Sequence, residues 1–199
     1  MKTQKKIAPA QRGFTLIETM VAITILVFAL VGPFQIAQGV LTSAYTARDE
    51  LIAASLGQEA IEYVREVRDS NYLYNAHHGQ TLSWLSGFDG NTTYGPDCYQ
   101  FACVVDPSQY PTTVPFSSGS AVIVKSVKSC NDATCAAYPL YISSANIYNQ
   151  QTTGTVSRFT RKVQFTQVSP TETKVTVTVS WTGHGSYSVV LSENLQNWL

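Results

Sequence analysis

The chain has 199 residues, enough for one modest domain and a membrane-spanning helix. Its 13 basic and 13 acidic side chains balance in number, but 4 of the basic ones and none of the acidic ones lie in residues 1–13. The rest of the chain carries 9 basic and 13 acidic side chains, a net charge of −4. A general nucleic-acid-binding surface needs a basic stripe, so no specific nucleic-acid partner is expected.

A basic leader, residues 1–13, precedes a long apolar run. From Phe14 to Ala47 the only formally charged side chain is Glu18. Residues 19–41 carry no charge and are long enough to cross about 30 Å of hydrocarbon. The basic residues before the run predict a cytoplasmic N-terminus and an extracytoplasmic C-terminal body, in a protein that crosses the cytoplasmic membrane once. The basic residues of the leader are Lys2, Lys5, Lys6 and Arg12.

The junction between leader and apolar run reads Gly13-Phe14-Thr15-Leu16-Ile17-Glu18. A secretory signal places its small-residue cleavage site after the apolar core, whereas here the small residue comes first. This order and these residues closely resemble type IV pilins and the pseudopilins of type II secretion. The resemblance implies that a prepilin peptidase cuts after Gly13 and methylates the new amine of Phe14. A plain signal anchor with the same letters is the alternative.

Glu18 is the strongest candidate for a functional side chain. A charge at the centre of a bilayer costs at least about 2.5–3.5 kcal/mol on insertion scales, so a partner should neutralise it. The resemblance implies that Glu18 meets the Phe14 amine of an adjacent subunit in a growing filament. The alternative is a carboxylate that lies at the headgroup interface without a specific role.

Residues 14 to about 70 are predicted to form one long helix in two halves. The first half, 14–41, is the membrane and filament-core segment, and Pro33 is expected to kink or loosen it. The second half, 42–70, is amphipathic and allows an Arg65–Asp69 pair at i,i+4 spacing. Its apolar face consists of Ile52, Leu56, Ala60, Tyr63, Val64 and Val67. Residues 58–73 also resemble the corresponding helix of minor pilins and I-type pseudopilins.

Residues 71–199 are predicted to form a β-rich head. Its first part, to about residue 155, is rich in loops, and the best strand candidates are Tyr99–Val105, Ala121–Val127 and Tyr138–Ile142.

Four cysteines lie in this part as two close pairs, Cys98 with Cys103 and Cys130 with Cys135. Four cysteines allow three pairings, of which local bridges are the simplest. Such bridges would pin loops rather than hold the whole fold together, because closing a short loop stabilises a protein least. A four-thiolate zinc site is the rival interpretation, but an extracytoplasmic location favours disulfides.

The C-terminal residues predict a three-stranded antiparallel meander. Val175, Val177, Val179 and Trp181 alternate with polar residues, so one face of the strand is buried and the other is wet. Ser169–Glu172 and Gly183–Gly185 are the predicted turns. The expected inward residues of the flanking strands are Phe159, Val163 and Phe165, and Tyr187, Val189 and Leu191. A helix covered by this sheet is an α+β, pilin-like fold.

No catalytic, metal or cofactor site is expected. The histidines, His77, His78 and His184, lie in polar or turn contexts without a nucleophile or zinc-protease pattern. Asp89-Gly90-Asn91 lacks the later ligands of a calcium loop. The aromatic residues after the helix are expected to pack against the head more often than to bind a ligand. They are Tyr72, Tyr74, Trp84 and Phe88.

Two classes of function therefore remain, and neither is an enzyme. The first is a minor pilin or pseudopilin of a type IV pilus or type II secretion pseudopilus. Its partners would be prepilin peptidase, other pilin or pseudopilin subunits, membrane lipid and assembly platform proteins. The second is an adhesin or uptake module at a filament tip, which would use residues 71–155 for binding.

Overall fold

The computed structural model describes residues 13, 15–79, 82–90, 95–109, 127–183 and 185–197. The chain divides into two compact units, residues 1–47 and 48–199. The predicted α+β, pilin-like layout is confirmed, with one long N-terminal helix and an antiparallel sheet.

Helix α1 spans Leu16–His78 and continues past its predicted end near residue 70. The extension is held by two asparagines that bind the following loop. Asn71 Nδ2 donates to the Ser86 carbonyl at 2.9 Å. Asn75 exchanges two hydrogen bonds with the backbone of Leu82, both at 2.9 Å. The polar residues that suggested a helix end therefore keep the helix in place, because the loop supplies partners for their amides.

The helix runs through Pro33 without ending there, so the predicted break does not divide it into two helices. Proline has no N–H, so the Ala29 carbonyl loses its i+4 donor. Local loosening of the helix at this point stays a prediction.

Within the residues that the structure describes, the sheet contains seven antiparallel strands. A short helix, α2, lies between its second and third strands. The elements after α1 are β1 (Ala102–Val105), β2 (Val127–Cys130), α2 (Asp132–Cys135), β3 (Pro139–Ile142), β4 (Tyr148–Asn149), β5 (Thr155–Ser169), β6 (Glu172–Thr182) and β7 (Ser186–Gln196).

The predicted meander is present as β5, β6 and β7, and the predicted strand over Tyr138–Ile142 is β3. The strand predicted over Tyr99–Val105 is shorter, because residues 98–101 form a turn before β1. Of the predicted strand Ala121–Val127, only Val127 belongs to the described residues, and it begins β2. Neither β4 nor α2 was predicted.

Strand β5 is the centre of the sheet. Along one edge it pairs with β6 over nearly its whole length. The other edge is shared by two strands, β3 next to Thr155 and β1 next to Val163. The long strand therefore joins the loop-rich part of the chain to the meander in one sheet.

The core forms between one face of α1 and one face of the meander. The predicted helix stripe is buried from Leu56 to Val67, with Ile52 partly buried. On the sheet side every predicted inward residue of β5 and β6 is at most 4% exposed. In β7 the pattern is weaker, because Val189 and Leu191 are only partly buried and Tyr187 is 38% exposed.

Arg161 of β5 is buried inside this core, between inward-facing apolar neighbours. Its guanidinium donates to the Leu56 carbonyl at 2.9 Å, to Glu59 Oε2 at 2.6 Å and to the Val105 carbonyl at 3.1 Å. Burial lowers the pKa of Arg161, and the carboxylates of Glu59 and Asp106 oppose that effect. One side chain thus connects α1, β1 and β5.

Two further ion pairs join α1 to the sheet. Arg158 donates to the buried carboxylate of Asp49 at 2.7 Å. Arg65 binds Glu193 of β7 and Glu62 of its own helix, in place of the predicted pair with Asp69. Asp69 instead binds its neighbour Arg68 at 2.8 Å. Hydrogen bonding to Glu193 raises the pKa of Arg65, and burial opposes that effect.

The structure contains both local disulfides, Cys98–Cys103 and Cys130–Cys135, with Cα atoms 5.4 and 5.0 Å apart. The first closes the turn before β1 and lies in the main core. The second lies in a smaller cluster with Ala102, Val104 and Tyr138. Because alternate residues of a strand point to opposite faces, the two bridges cover opposite faces of β1.

We expect Arg161→Met to lower the free energy of unfolding by about 3 kcal/mol, because the Leu56 and Val105 carbonyls each lose one hydrogen bond and a buried ion pair is broken. Glu62→Gln is the control, since Glu62 is 65% exposed in its pair with Arg65 and its loss should cost at most about 1 kcal/mol. Urea unfolding of the full chain in detergent measures both. Equal effects of the two substitutions would contradict the role given to Arg161.

Tyr99 gives a pH-dependent prediction. Its hydroxyl lies 2.9 Å from Thr173 Oγ1, and burial raises its pKa above the usual 10.0. The folded state therefore favours the neutral phenol, and this stabilisation is complete below pH 10 and is lost as the pH rises through the raised pKa.

At pH 7, Tyr99→Phe should cost about 1 kcal/mol through the lost hydrogen bond. Above pH 10 the wild type should lose stability relative to Tyr99→Phe. Urea unfolding between pH 7 and 11 checks this, with the exposed Tyr72→Phe as a control that leaves the stability at pH 7 unchanged. A constant difference between wild type and Tyr99→Phe across this range would rule out the titration.

Candidate functional site

The N-terminal junction combines a fully exposed glycine with the first turn of α1. Gly13 has no neighbouring atom within 4 Å of the position a Cβ would take, while Phe14 lies outside the described residues. The Thr15 hydroxyl accepts a hydrogen bond from the Glu18 backbone N–H at 3.4 Å, and Leu16 begins the helix. The Gly13–Phe14 bond therefore comes immediately before the helix.

Glu18 lies in the first turn of α1. A carboxylate there interacts favourably with the helix dipole, typically by 0.3–1 kcal/mol. The signal for this placement is the Thr15-x-x-Glu18 spacing of a capping box, which the sequence analysis did not use. Glu18 can thus support the helix start of its own chain, in addition to any pairing with another subunit.

Residues 16–47 of α1, called the stem below, expose their apolar side chains. Leu16, Phe28 and Phe34 are 78%, 80% and 70% exposed. An 18-residue window of the helix has a mean hydropathy of 2.2, and none of that window is buried. Within the described part of the chain, α1 is the one helix long and apolar enough to cross a membrane. The stem therefore suits a membrane anchor or the inside of a helix bundle.

The stem satisfies its threonine hydroxyl groups internally. Thr19 donates to the Leu16 carbonyl and Thr24 to the Val21 carbonyl, both at 2.8 Å. Thr42 donates to the Gln38 carbonyl at 3.0 Å. Hydroxyls bonded to their own helix add little polar surface to the stem.

The other polar candidates do not form a reactive site. All four cysteines are in disulfides, so the zinc alternative is wrong for this structure. Among the described residues, no group of three or more His, Cys, Asp or Glu could hold a metal ion. His77 lies in the last turn of α1, and nothing is described of the His78 side chain or of His184. Asp89 forms a backbone bridge with Asp97, and Asn91 lies outside the described residues.

The aromatic residues after the helix mostly pack into the core, as predicted. Phe88 is fully buried and contacts the Tyr63 and Phe165 rings, and Tyr74 is 6% exposed. Trp84 is partly buried against the same core. Tyr72 is the exception, at 42% exposed. These residues therefore form part of the core more than a binding surface.

The comparison with protein families agrees with the sequence motif at the N-terminal junction. Residues 9–32 match the family described as the prokaryotic N-terminal methylation motif. The match includes Gly13, Phe14, Glu18 and about half of the stem. No curated protein and no solved structure matches the chain. The matched motif leads directly into one exposed apolar helix, and that helix continues onto an antiparallel sheet; together these findings support a relationship to the type IV pilins and pseudopilins.

Proposed function

We propose that the chain is a minor pilin or pseudopilin, a structural subunit that is processed at the membrane and assembled into an extracytoplasmic filament. The observation that carries the proposal is the exposed glycine directly before an apolar helix with a carboxylate in its first turn. The subunit would serve a type IV pilus or a type II secretion pseudopilus.

Processing creates the group that assembly needs. A prepilin peptidase cuts after Gly13, and the new N-terminus is the Phe14 amine, whose methylation preserves the positive charge. Glu18 and that amine are four residues apart in the sequence. Each ion is costly in lipid alone, and pairing the two offsets much of this cost.

In the proposed filament the pair forms between neighbouring subunits. The Glu18 carboxylate of one stem binds the Phe14 amine of the next, while the apolar side chains of both exchange lipid contacts for contacts with each other. The basic leader keeps the N-terminus cytoplasmic before cleavage, and the sheet lies outside the cytoplasm. Assembly platform proteins and other subunits are the partners, and the role is structural.

Gly13→Val should leave the leader on the chain, because a branched side chain replaces the small residue that the peptidase accepts. Mass spectrometry of the membrane-inserted protein measures the presence or loss of residues 1–13. Gly32→Ala is the matched control, since neither glycine has an atom within 4 Å of its Cβ position. Normal removal of the leader from Gly13→Val would contradict the assigned cleavage site.

Glu18→Gln should insert into the membrane and be processed, yet enter filaments at least about tenfold less, the equivalent of about 1.4 kcal/mol. Quantitative immunoblotting of sheared filaments against the membrane pool measures the ratio. Glu50→Gln, an exposed acid of the same helix beyond the stem, should incorporate normally. If Glu18 acts only on the helix end of its own chain, Glu18→Gln will also incorporate normally and the pairing is wrong.

A further inference from the structure

The face of the meander that points away from α1 is rich in hydroxyl groups at one end. Thr160, Ser180 and Ser188 are neighbours across β5, β6 and β7. Thr182 and Ser186 form the next cross-strand pair on this face, because residues i and i+2 of a strand point the same way. Neighbouring strands lie about 4.8 Å apart and residues i and i+2 about 6.8 Å, so the five hydroxyls occupy an area of about 10 by 7 Å.

These hydroxyls line a cavity of about 450 Å³, which we call the hydroxyl cavity. Its volume lies in the usual range of small-ligand sites, about 300–1,000 Å³. Ala136, the C-cap of α2, and Arg158 of β5 also line it. Trp181 and Tyr187 complete the lining, and their rings stack with centroids 5.6 Å apart. Since Tyr187 is 38% exposed, the cavity combines hydroxyl groups with a partly exposed aromatic residue.

The electrostatics of the hydroxyl cavity favour an uncharged ligand. Within the described part of the chain, Arg158 is the one charged residue that lines it. The Arg158 guanidinium donates to Asp49 Oδ2 at 2.7 Å, and the Asp49 side chain is only 9% exposed. An anionic ligand would compete with this carboxylate for the same cation. A neutral ligand leaves the ion pair intact and can still use the remaining N–H groups of the guanidinium.

The hydroxyl groups have capacity left for a ligand. Thr160 Oγ1 donates to the Ser180 carbonyl at 3.4 Å. A hydroxyl both donates and accepts, so a group of free hydroxyls is complementary to the neighbouring hydroxyls of a sugar ring. The C–H side of such a ring is apolar and packs well against an aromatic residue. The side-chain hydroxyls with no hydrogen-bond partner among the described residues are those of Ser180, Thr182, Ser186 and Ser188.

We propose that the hydroxyl cavity binds an uncharged, hexose-containing glycan. One or two sugar rings lie across β5, β6 and β7, where they hydrogen-bond to Ser180 and Thr182, and Ala136 limits the cavity on the side of α2. This binding activity goes beyond the structural role proposed above. It also does not depend on that role, because the cavity lies wholly within residues 48–199 and requires neither cleavage after Gly13 nor pairing of Glu18.

A glycan array tests the class of ligand. The full chain is purified in lauryldimethylamine oxide, a detergent without a sugar head group that could compete for the site. The array carries uncharged glucose-, galactose- and mannose-terminated oligosaccharides beside sialylated and sulfated ones. The chain should bind at least one uncharged glycan. Binding of acidic glycans alone, or of none, would overturn the proposal.

A double substitution tests the location of the site. Thr182→Val with Ser186→Ala removes one cross-strand pair of hydroxyls and should weaken binding of the selected glycan at least about tenfold, as expected for two lost hydrogen bonds. Isothermal titration calorimetry measures the Kd. Thr176→Val with Ser192→Ala is the matched control, because it removes another cross-strand pair on the same face, about 20 Å along the strand. Equal losses in the two variants would show that the glycan binds elsewhere.

A second substitution tests the cavity without removing a hydroxyl group. Ala136→Leu places a larger side chain in the cavity and should also weaken binding at least about tenfold. Ala137→Leu is its control, since Ala137 is exposed but does not line the cavity. Urea unfolding establishes that each variant is folded. Binding by folded Ala136→Leu with the Kd of the wild type would contradict the assigned cavity.

Discussion

Burial of one side of α1 against one face of the meander organises the C-terminal unit. The helix contributes the run from Leu56 to Val67, and β5 and β6 contribute alternating residues that are almost fully buried. Burial of apolar surface stabilises a fold by about 25 cal/mol per Å², so this contact is the main favourable contribution to the free energy of folding. Apolar burial is non-directional, so the ion pairs of Arg161 and Asp49 fix where the helix lies on the sheet. The hydrogen bond from Asn71 to the loop after α1 and the two disulfides add further links around this contact.

The two parts of helix α1 have surfaces that suit different environments. Its C-terminal part has a polar side and an apolar side, as a helix at the surface of a globular unit requires. Its N-terminal part exposes apolar residues all round and carries one acid, Glu18, in its first turn. A stem of this kind is unsuited to water and suited to lipid or to a bundle of similar helices. The stem therefore carries only a few polar groups on an otherwise apolar surface.

The sequence predicted the parts of the fold that follow a regular period. The β6 alternation and the helix stripe gave the core, and Gly13 with Glu18 gave the candidate site. Arg161 was missed because a charged residue interrupts the apolar alternation, although its position between Phe159 and Val163 places it on the buried face. The end of α1 was missed because the partners of Asn75 come from a loop that follows the helix, and such tertiary contacts have no local signal.

The ion pairs between α1 and the sheet also have a mechanical consequence. In the proposed filament, tension would load each subunit along its helix, and the load would pass to the sheet at the places where helix and strands are joined. Arg161 joins the helix to β1 and β5, and Arg65 joins it to β7, so the force is shared by strands on both sides of β6. Separating helix from sheet under shear would require several of these links to break at once, which makes the junction resistant to pulling in proportion to their number.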